Sequence, residues 1–440
     1  MSATTLNTTL REQVRATRQA ALKLAVLPTD VKNAALAAIA DAVETRTDEI
    51  LAANQQDLAA AAVMVEEGSL SAATYARLKL TPDKIATMAA GVRDVMRLAD
   101  PVGELHWSRE LDTGLVLHRK STPLGVLGII FESRPDAVTQ ISSLALKTGN
   151  GVVLKGGKEA VNSCRMLVKV IHSALEAQGI PTASVTLLTT REETRALLAL
   201  DDLVDLVIPR GSNSFVRYVQ DNTKIPVLGH ADGICHAFVD RAADLVKAVP
   251  LVVDSKVNYP AACNALETLL VHADVAEQFL PQVLTALNAV GVEVRGCERS
   301  RAIADMPAAT NSDWETEYGE LVLSVKVVDS LTDALAHIET YGSRHTEAIL
   351  TEDTATAEEF MNSVDAAGVF HNASTRFSDG FRYGFGAEVG ISTQKLPPRG
   401  PVGMEGLVTY KYLLEGDGHI VATYSGSDAK PFTHRDVPLQ

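Results

Sequence analysis

Cysteine is scarce in this chain, and its spacing excludes several classes of protein. The 440 residues contain four cysteines, at positions 164, 235, 263 and 297. No CxxC pair and no metal-ligand cluster is present, so we expect neither a disulfide framework nor a metal site. Free cysteines of this kind are typical of a reducing compartment, and we therefore expect a cytoplasmic protein.

Positive charge and long apolar runs are lacking too. The formal net charge is −15 at pH 7, which leaves no basic excess to neutralise the phosphates of nucleic acid or of an anionic membrane. No stretch of eighteen apolar residues occurs, and the N-terminal segment lacks the apolar core of a signal peptide. We expect no nucleic-acid or membrane partner, and a small anionic substrate would need a local positive pocket.

The pattern that is present predicts an α/β protein. The first hundred residues have helical spacing, with one long helix expected over 31–62 behind an N-cap at Thr29 and Asp30. From 124 to 228, strand-like apolar runs alternate with helical segments, and the last strand is expected at 225–228. This alternation predicts right-handed βαβ units and a parallel, doubly wound sheet with ligands at the carboxyl ends of its strands.

A second αβ series, from 235 to 371, predicts a second domain. Residues 104–120 have the pattern of a hairpin, and so does the tail, with strands expected at 407–414 and 419–424. We therefore predict a Rossmann-type cofactor-binding domain over 1–103 and 123–229, an α/β catalytic domain over 230–397, and a β-arm over 104–122 and 398–440. Because exposed two-stranded arms usually need a partner, we expect a homo-oligomer, either a dimer or a tetramer.

The cofactor half lacks the GxGxxG motif, so topology alone indicates a dinucleotide site. Lys155 and Lys158 follow a predicted strand where a 2′-phosphate of NADPH could be held, although a solvated Lys-Gly loop would have the same pattern. Gly211 and Ser212 open a helix whose N-terminal amides suit a diphosphate, although an ordinary helix cap would also begin this way.

One cysteine lies in a setting that suits a nucleophile. Cys263 has small residues on both sides, in the segment Pro-Ala-Ala-Cys-Asn-Ala, and these leave room at sulfur for a substrate. A buried, inert cysteine is an equally good interpretation of this segment alone.

Six separated motifs then point to a known family. They are IIFESRPDAV at 129–138, KVNYPAACNALETLLVH at 256–272, VDSLTDALAHIETYGSRHTEAI at 328–349, FGAEVGISTQ at 385–394, RGPVG at 399–403 and YKYLLEGDGHIV at 410–421. In this order they resemble the γ-glutamyl phosphate reductase family of the aldehyde dehydrogenase superfamily. The resemblance implies an aldehyde dehydrogenase-like fold with a β-hairpin oligomerisation arm. It also implies NADPH-dependent reduction of L-glutamyl 5-phosphate to L-glutamate 5-semialdehyde and phosphate, in proline biosynthesis.

The resemblance also implies roles for individual residues. Cys263 becomes the nucleophile that carries a thioester, and its backbone N–H, with Asn258 or Ser133, becomes the donor set for the oxyanion. The remaining matched positions are Lys155 for the adenosine ribose, Gly211 and Ser212 for the diphosphate, Glu317 for the nicotinamide ribose, and Ser374 and Thr375 for the amino acid end of the substrate. Arg134 and Arg399 are candidate partners of the substrate carboxylate or phosphate, or else structural ion pairs.

One departure from the wider superfamily is informative. Oxidising aldehyde dehydrogenases carry in an ELGGK motif the glutamate that activates water, and the matching segment 227–233 has no glutamate. A thioester would then be spared hydrolysis, which suits reduction of an acyl phosphate, unless His230 or Asp232 substitutes as the base. A CoA-acylating aldehyde dehydrogenase and a catalytically silent protein of the same fold are the alternatives. We also expect the glutamate 5-kinase to be a separate polypeptide and a possible partner.

Overall fold

The computed structural model describes residues 3–229 and 232–438. The helices are α1 Ala3–Leu24, α2 Thr29–Thr45, α3 Thr47–Glu66, α4 Ala72–Leu78, α5 Pro82–Arg97, α6 Ala137–Lys147, α7 Val161–Ala177, α8 Arg191–Leu197, α9 Asn213–Asp221, α10 Leu245–Val257, α11 Ala273–Ala289, α12 Glu298–Ile303, α13 Leu331–Tyr341 and α14 Thr354–Ser363. The strands are β1 Leu105–Asp112, β2 Leu115–Pro123, β3 Val126–Phe131, β4 Gly151–Lys155, β5 Val185–Leu188, β6 Leu206–Arg210, β7 Cys235–Val239, β8 Leu266–His272, β9 Glu293–Gly296, β10 Val322–Val328, β11 Thr346–Leu350, β12 Gly368–His371, β13 Gly390–Ser392, β14 Gly400–Val402, β15 Val408–Glu415 and β16 Arg435–Val437.

Two parallel sheets make the body of the molecule. The first has the strand order β5-β4-β3-β6, and the second has the order β12-β11-β7-β8-β10-β9. All six residues of β3 and all seven of β8 are buried, because helices cover both faces of such sheets. This burial is the reason that the strands are continuous apolar runs in the sequence, and the two parallel sheets confirm the predicted α/β class.

A third sheet is antiparallel, in the order β15-β2-β1-β16. β15 pairs with β2 over its whole length, from Val408 opposite Pro123 to Glu415 opposite Val116. The predicted tail hairpin is therefore wrong: residues 419–424 form no strand and include a short 3₁₀ helix. The His419 ring fills the turn, where it meets the Asp417 N–H at 3.1 Å and the Thr113 carbonyl at 3.2 Å.

Two further expectations about local structure are wrong. The expected long helix over 31–62 is broken at Arg46, whose φ and ψ of −104° and 25° are not helical. α2 begins at Thr29, and its N-cap is Pro28, without a side-chain cap. The strand expected at 225–228 is reduced to a single bridge between Val207 and Val227, which leaves β6 at the edge of its sheet.

The domain division remains a proposal, and the structure suggests moving one boundary. The proposed catalytic segment ends at 397, yet β13 before that point pairs with β14 after it. Val389 and Val402 pack into the same apolar core as the first sheet. The chain therefore returns to the cofactor side before residue 397. No helix in the described parts of the chain is long and apolar enough to cross a membrane.

Candidate active site

The candidate site lies where the two parallel sheets approach each other. Ser133 lies in the loop after β3, and Lys155 and Arg210 are the last residues of β4 and β6. Cys263 and His345 precede the amino ends of β8 and β11. A hydrogen bond of 3.0 Å from Asn213 Nδ2 to Glu317 Oε2 joins the two sides. The site is therefore a crevice between the sheets.

The Cys263 sulfur has a histidine neighbour. Cys263 is half-buried in the turn between α10 and β8, and its Sγ lies 3.2 Å from Nε2 of His345. His345 is fully buried, and its Nδ1 lies 2.8 Å from the Thr346 hydroxyl. The Cys235 thiol donates to the Cys263 carbonyl at 3.3 Å. These contacts hold both the backbone and the sulfur of Cys263 in place.

Gly233 lets the segment that leads into β7 pass directly against the turn that carries Cys263. A Cβ at this position would lie 2.7 Å from the Cys263 Cα and 2.8 Å from its carbonyl carbon, and nearer still to the carbonyl oxygen. Real Cβ atoms do not approach backbone this closely, so only glycine fits here.

The electrostatics keep the Cys263 thiol protonated at rest. Burial, together with the carboxylates of Glu317 and Glu388, raises its pKa to about 12, although a backbone hydrogen bond and the Arg376 guanidinium oppose the shift. Burial also raises the pKa of Cys164 to about 12 and that of Cys235 well above its ordinary value. Burial raises the pKa of Cys297 as well, but hydrogen bonds from Ser300 and neighbouring backbone outweigh it, and the net shift is downward.

Two arginines lie close enough to the sulfur to interact with it, and the sequence analysis missed both. Burial lowers the pKa of Arg210 and of Arg376. The carboxylate of Glu388 opposes the shift of Arg210 and that of Asp379 opposes the shift of Arg376, and the Cys263 side chain acts in the same direction, with a smaller effect, on both. Arg376 is 7% exposed, and its buried Nε has no hydrogen-bond partner. Arg134 adds a third positive charge near Arg210. Among the described residues, no carboxylate lies within 4.0 Å of any of these three guanidinium groups.

Arg399 lies elsewhere. Its Nη1 is 2.8 Å from Asp365 Oδ1, and a second nitrogen donates to the Asp365 carbonyl at 3.1 Å. Arg399 also lines a separate cavity with Leu98 and Phe385. Of the two interpretations that the sequence left open for Arg399, the structure favours the structural ion pair.

Ser374 and Thr375 are buried and hold the backbone that presents Arg376. The Ser255 hydroxyl donates to Ser374 Oγ at 3.2 Å and accepts from the Thr375 N–H at 3.2 Å. The Thr375 hydroxyl has no partner in the described structure. Asn264 Nδ2 donates to the carbonyl of Ser378 at 2.7 Å, which ties the nucleophile turn to this loop.

The two expected oxyanion donors are differently placed. Asn258 follows α10 with an exposed side chain, which leaves it available to a substrate. Ser133 is buried with a φ of 47°, and its N–H and hydroxyl both donate to Glu159 Oε1, at 2.7 and 2.6 Å. In this arrangement the Ser133 hydroxyl serves the Glu159 carboxylate and not the Cys263 side.

Lys155 and Lys158 line a cavity of about 900 Å³ at the carboxyl ends of β3 and β4. Arg191 and Arg195 line the same cavity. Lys155 is 9% exposed and donates to the Gly156 carbonyl; burial lowers its pKa, while the Glu159 charge opposes the shift. Lys158 is exposed at the rim.

Gly211 and Ser212 lie at the start of α9, as predicted. Ser212 caps this helix and accepts from the Phe215 N–H at 3.4 Å. A Cβ on Gly211 would lie 2.9 Å from the Phe215 ring and 3.0 Å from Glu132 Oε2. The Gly211 turn is therefore tightly packed against Glu132, whose pKa is raised by burial and by Glu159.

Comparison with known proteins identifies the family. The aldehyde dehydrogenase family profile matches residues 3–301. A γ-glutamyl phosphate reductase from Cyanothece sp. (strain PCC 7425) is 61% identical over 437 residues, which is 99% of this chain and 100% of that protein. This chain belongs to the γ-glutamyl phosphate reductase family.

Solved structures agree with this membership. The crystal structure of γ-glutamyl phosphate reductase from Thermotoga maritima shares 42% identity with a TM-score of 0.91, covering 93% of this chain and 99% of that one. An acetylating aldehyde dehydrogenase from Geobacillus thermoglucosidasius shares 16% identity with a TM-score of 0.65, covering 95% and 98% of the two chains. At that identity the likeness shows the fold alone.

Segment 227–233, which aligns with the ELGGK motif, contains a single carboxylate, Asp232, and this carboxylate is already paired. Asp232 forms an ion pair with Arg217 and accepts from Asn213 Nδ2 at 3.1 Å. His230 lies outside the described residues. No group of three or more potential metal ligands is found in the described parts of the chain.

His345, Arg210 and Arg376 are the site residues that sequence reasoning missed. His345 is part of the signature-like motif at 328–349, but its distance from Cys263, 82 residues along the chain, hid the contact. Arg210 ends a buried strand, where ligands are expected, and that signal was available.

Proposed function

We propose that this chain reduces the acyl phosphate of L-glutamyl 5-phosphate to L-glutamate 5-semialdehyde, releasing phosphate, through a thioester on Cys263. The reaction is the reductase step of proline biosynthesis. One observation carries the proposal beyond family membership: the half-buried Cys263 thiol interacts electrostatically with Arg210 and Arg376, and neither guanidinium group has a carboxylate within 4.0 Å among the described residues. Arg376 is buried, and a buried charge without a counter-ion in contact is costly unless a ligand neutralises it.

The arginines suit a substrate with an anionic group at each end. L-Glutamyl 5-phosphate carries a phosphate on the reacting carbonyl and a carboxylate at the amino acid end. Guanidinium groups bind both bidentately. We assign the substrate to Arg210, Arg376 and Arg134, with Ser374 and Thr375 supporting Arg376, and we leave Arg399 to its ion pair with Asp365.

The residues around the cavity at β3 and β4 fit a phosphorylated dinucleotide. Lys155, Lys158, Arg191 and Arg195 supply positive charge along it, which favours NADPH over NADH. Gly211 and Ser212 would hold the diphosphate at the start of α9, and Glu317 would hold the nicotinamide ribose at the crevice. When bound, NADPH supplies the hydride.

The chain's own residues perform the acyl transfer. The Cys263 thiolate attacks the carbonyl carbon, a C–S bond forms, and the bond from carbon to the phosphate oxygen breaks. The Cys263 N–H and the exposed Asn258 side chain are donors for the oxyanion. With Asp232 engaged by Arg217 and Asn213, no carboxylate in the described part of segment 227–233 is free to direct water at the thioester.

The antiparallel sheet presents an apolar face that fits a second copy of the chain. Tyr410, Tyr412 and Leu414 on the edge strand β15 are exposed, at 44%, 56% and 58%. Edge strands with exposed aromatic residues pair readily with another chain. We propose a homo-oligomer that uses this face, with the glutamate 5-kinase as a separate partner polypeptide.

The reverse reaction tests the proposed function. NADPH formation from glutamate semialdehyde should require phosphate or arsenate as acyl acceptor, and Cys263→Ala should abolish it while NADPH binding is retained. Substantial turnover by Cys263→Ala would remove the thioester from the mechanism. Turnover with CoA in place of phosphate would instead support an acylating dehydrogenase.

A further inference from the structure

We propose that His345 accepts the proton of the Cys263 thiol and passes it to the departing phosphate, so that this imidazole is a catalytic residue of the acylation step. The proposal rests on the proposed function for its substrate. It concerns a residue that no sequence motif assigned to the chemistry, and it explains how a buried thiol becomes a nucleophile without a glutamate base.

The need for a proton acceptor follows from the site's electrostatics. A thiol with a pKa of about 12 is ionised in only about one part in 10⁵ at pH 7. The thiolate is the reactive form of cysteine. Substrate attack at neutral pH therefore requires a base that removes the proton as the C–S bond forms.

The geometry places an imidazole in that role. The distance of 3.2 Å between His345 Nε2 and Cys263 Sγ is a hydrogen-bond distance for sulfur. The Thr346 hydroxyl, 2.8 Å from Nδ1, can accept the proton of that nitrogen. In the tautomer that carries its proton on Nδ1, Nε2 accepts the hydrogen bond of the thiol, and the two atoms are within reach for proton transfer.

The other titratable groups near the sulfur are less suited to accept its proton. Glu317 is held by Asn213 at 3.0 Å, and Glu388 accepts from the Gly380 N–H at 2.9 Å. Cys235 is itself a donor, to the Cys263 carbonyl. The nearby Arg210 and Arg376 can stabilise a thiolate but cannot accept a proton.

The proton balance of the step closes without a further reactant. The thiol proton moves to Nε2, sulfur bonds to the carbonyl carbon, and the electron pair of the broken C–O bond leaves with the phosphate. The imidazolium then gives its proton to that phosphate. No electrons are transferred in this half-reaction, so it can be measured without NADPH.

Alkylation of Cys263 by iodoacetamide measures its ionisation directly. We would follow the rate from pH 5.5 to 10.5 by peptide mapping in a Cys297→Ser background, because the lowered pKa of Cys297 would otherwise dominate labelling. The parent should show a reactive plateau at neutral pH, well below the pH at which the thiol itself ionises, because the neutral imidazole takes up the thiol proton. His345→Gln should lose this plateau, and its alkylation rate at pH 7 should be lower by about 10²-fold, the lower end of the range for a positioned base.

A matched histidine controls for general perturbation. His272 is also buried, but it lies at the opposite, carboxyl end of β8 and caps α11, so His272→Gln should keep the plateau. Thr346→Val, which removes the hydroxyl contact of Nδ1 at nearly constant volume, should lower the rate at pH 7 by about tenfold. If His345→Gln does not fold, the alkylation rate of Thr346→Val tests the role of His345 in its place.

The outcomes separate this proposal from the proposed function. An unchanged alkylation profile in folded His345→Gln, or in Thr346→Val if only that variant folds, would overturn the role of His345, whatever the substrate. Persistent turnover by Cys263→Ala would overturn the proposed function without touching the alkylation result. In steady-state assays His345→Gln should lower kcat by about 10²-fold with KM within about threefold; a change confined to KM would also count against it.

Discussion

Replacing Gly233 by alanine should damage catalysis without touching any group that takes part in it. A Cβ there would lie 2.7 Å from the Cys263 Cα and 2.8 Å from its carbonyl carbon. Since carbon atoms in contact are normally about 3.5–4.0 Å apart, the nucleophile turn must move by about 1 Å. Such a displacement costs about 10²-fold in rate.

The same crowding has a thermodynamic cost. Inserting a methyl group into closely packed structure destabilises a protein by about 1–3 kcal/mol. For Gly233→Ala we expect a lower melting temperature, a kcat lower by about 10²-fold, and slower alkylation of Cys263, because the sulfur shifts relative to His345. The φ of Gly233 is not among the positive values, so the effect comes from the contact and not from backbone strain.

Gly229 supplies a matched control four residues earlier. A Cβ there would be 3.5 Å from Val216 Cγ1 and 3.6 Å from Pro209 Cγ, which are ordinary contacts. Gly229→Ala should therefore keep kcat within about threefold of the parent. The reasoning would be refuted if the two variants had equal kcat values in the phosphate-dependent reverse assay, or if Gly233→Ala alkylated as fast as Gly229→Ala.

Three further predictions concern the cofactor, the substrate and water. Changing Lys155 and Lys158 together to glutamine should weaken the binding of NADPH by about tenfold or more relative to the binding of NADH, as measured by fluorescence titration. An equal loss of affinity for both cofactors would show that the lysines contact the ribose or the diphosphate. Arg376→Lys should raise KM for the semialdehyde by about tenfold or more, because a bidentate partner of the substrate is lost. Arg399→Lys should leave KM within about twofold of the parent. If Arg399→Lys raised KM more than Arg376→Lys, the substrate would be assigned to Arg399. Gly229→Glu, at the position of the missing base, should allow a slow phosphate-independent oxidation of the semialdehyde, at most about 10²–10⁴-fold over background. Fast phosphate-independent oxidation by the parent would contradict the proposal that the thioester is protected from hydrolysis.

Local pattern determined much of the fold. Strands such as β3 and β8 are buried on both faces, so they are apolar throughout and can be recognised without any knowledge of their neighbours. The tail could not be predicted in this way, because β15 finds its partner in β2, almost 300 residues earlier. The break at Arg46 was also missed, since both flanking segments have good helical spacing.

The sequence by itself determined the α/β class and the family resemblance and singled out Cys263 as a candidate, because these depend on residues close together in the chain. The tertiary structure alone decided what surrounds the sulfur. His345 and Arg376 are 82 and 113 residues from Cys263, and Arg210 is on the other sheet. The tertiary structure also showed that Arg399 is held by Asp365, whereas Arg210 and Arg376 have no carboxylate within 4.0 Å in the described structure. Charge interactions and proton transfer act over a few ångströms, so the positions of these residues along the chain do not show which of them are in contact.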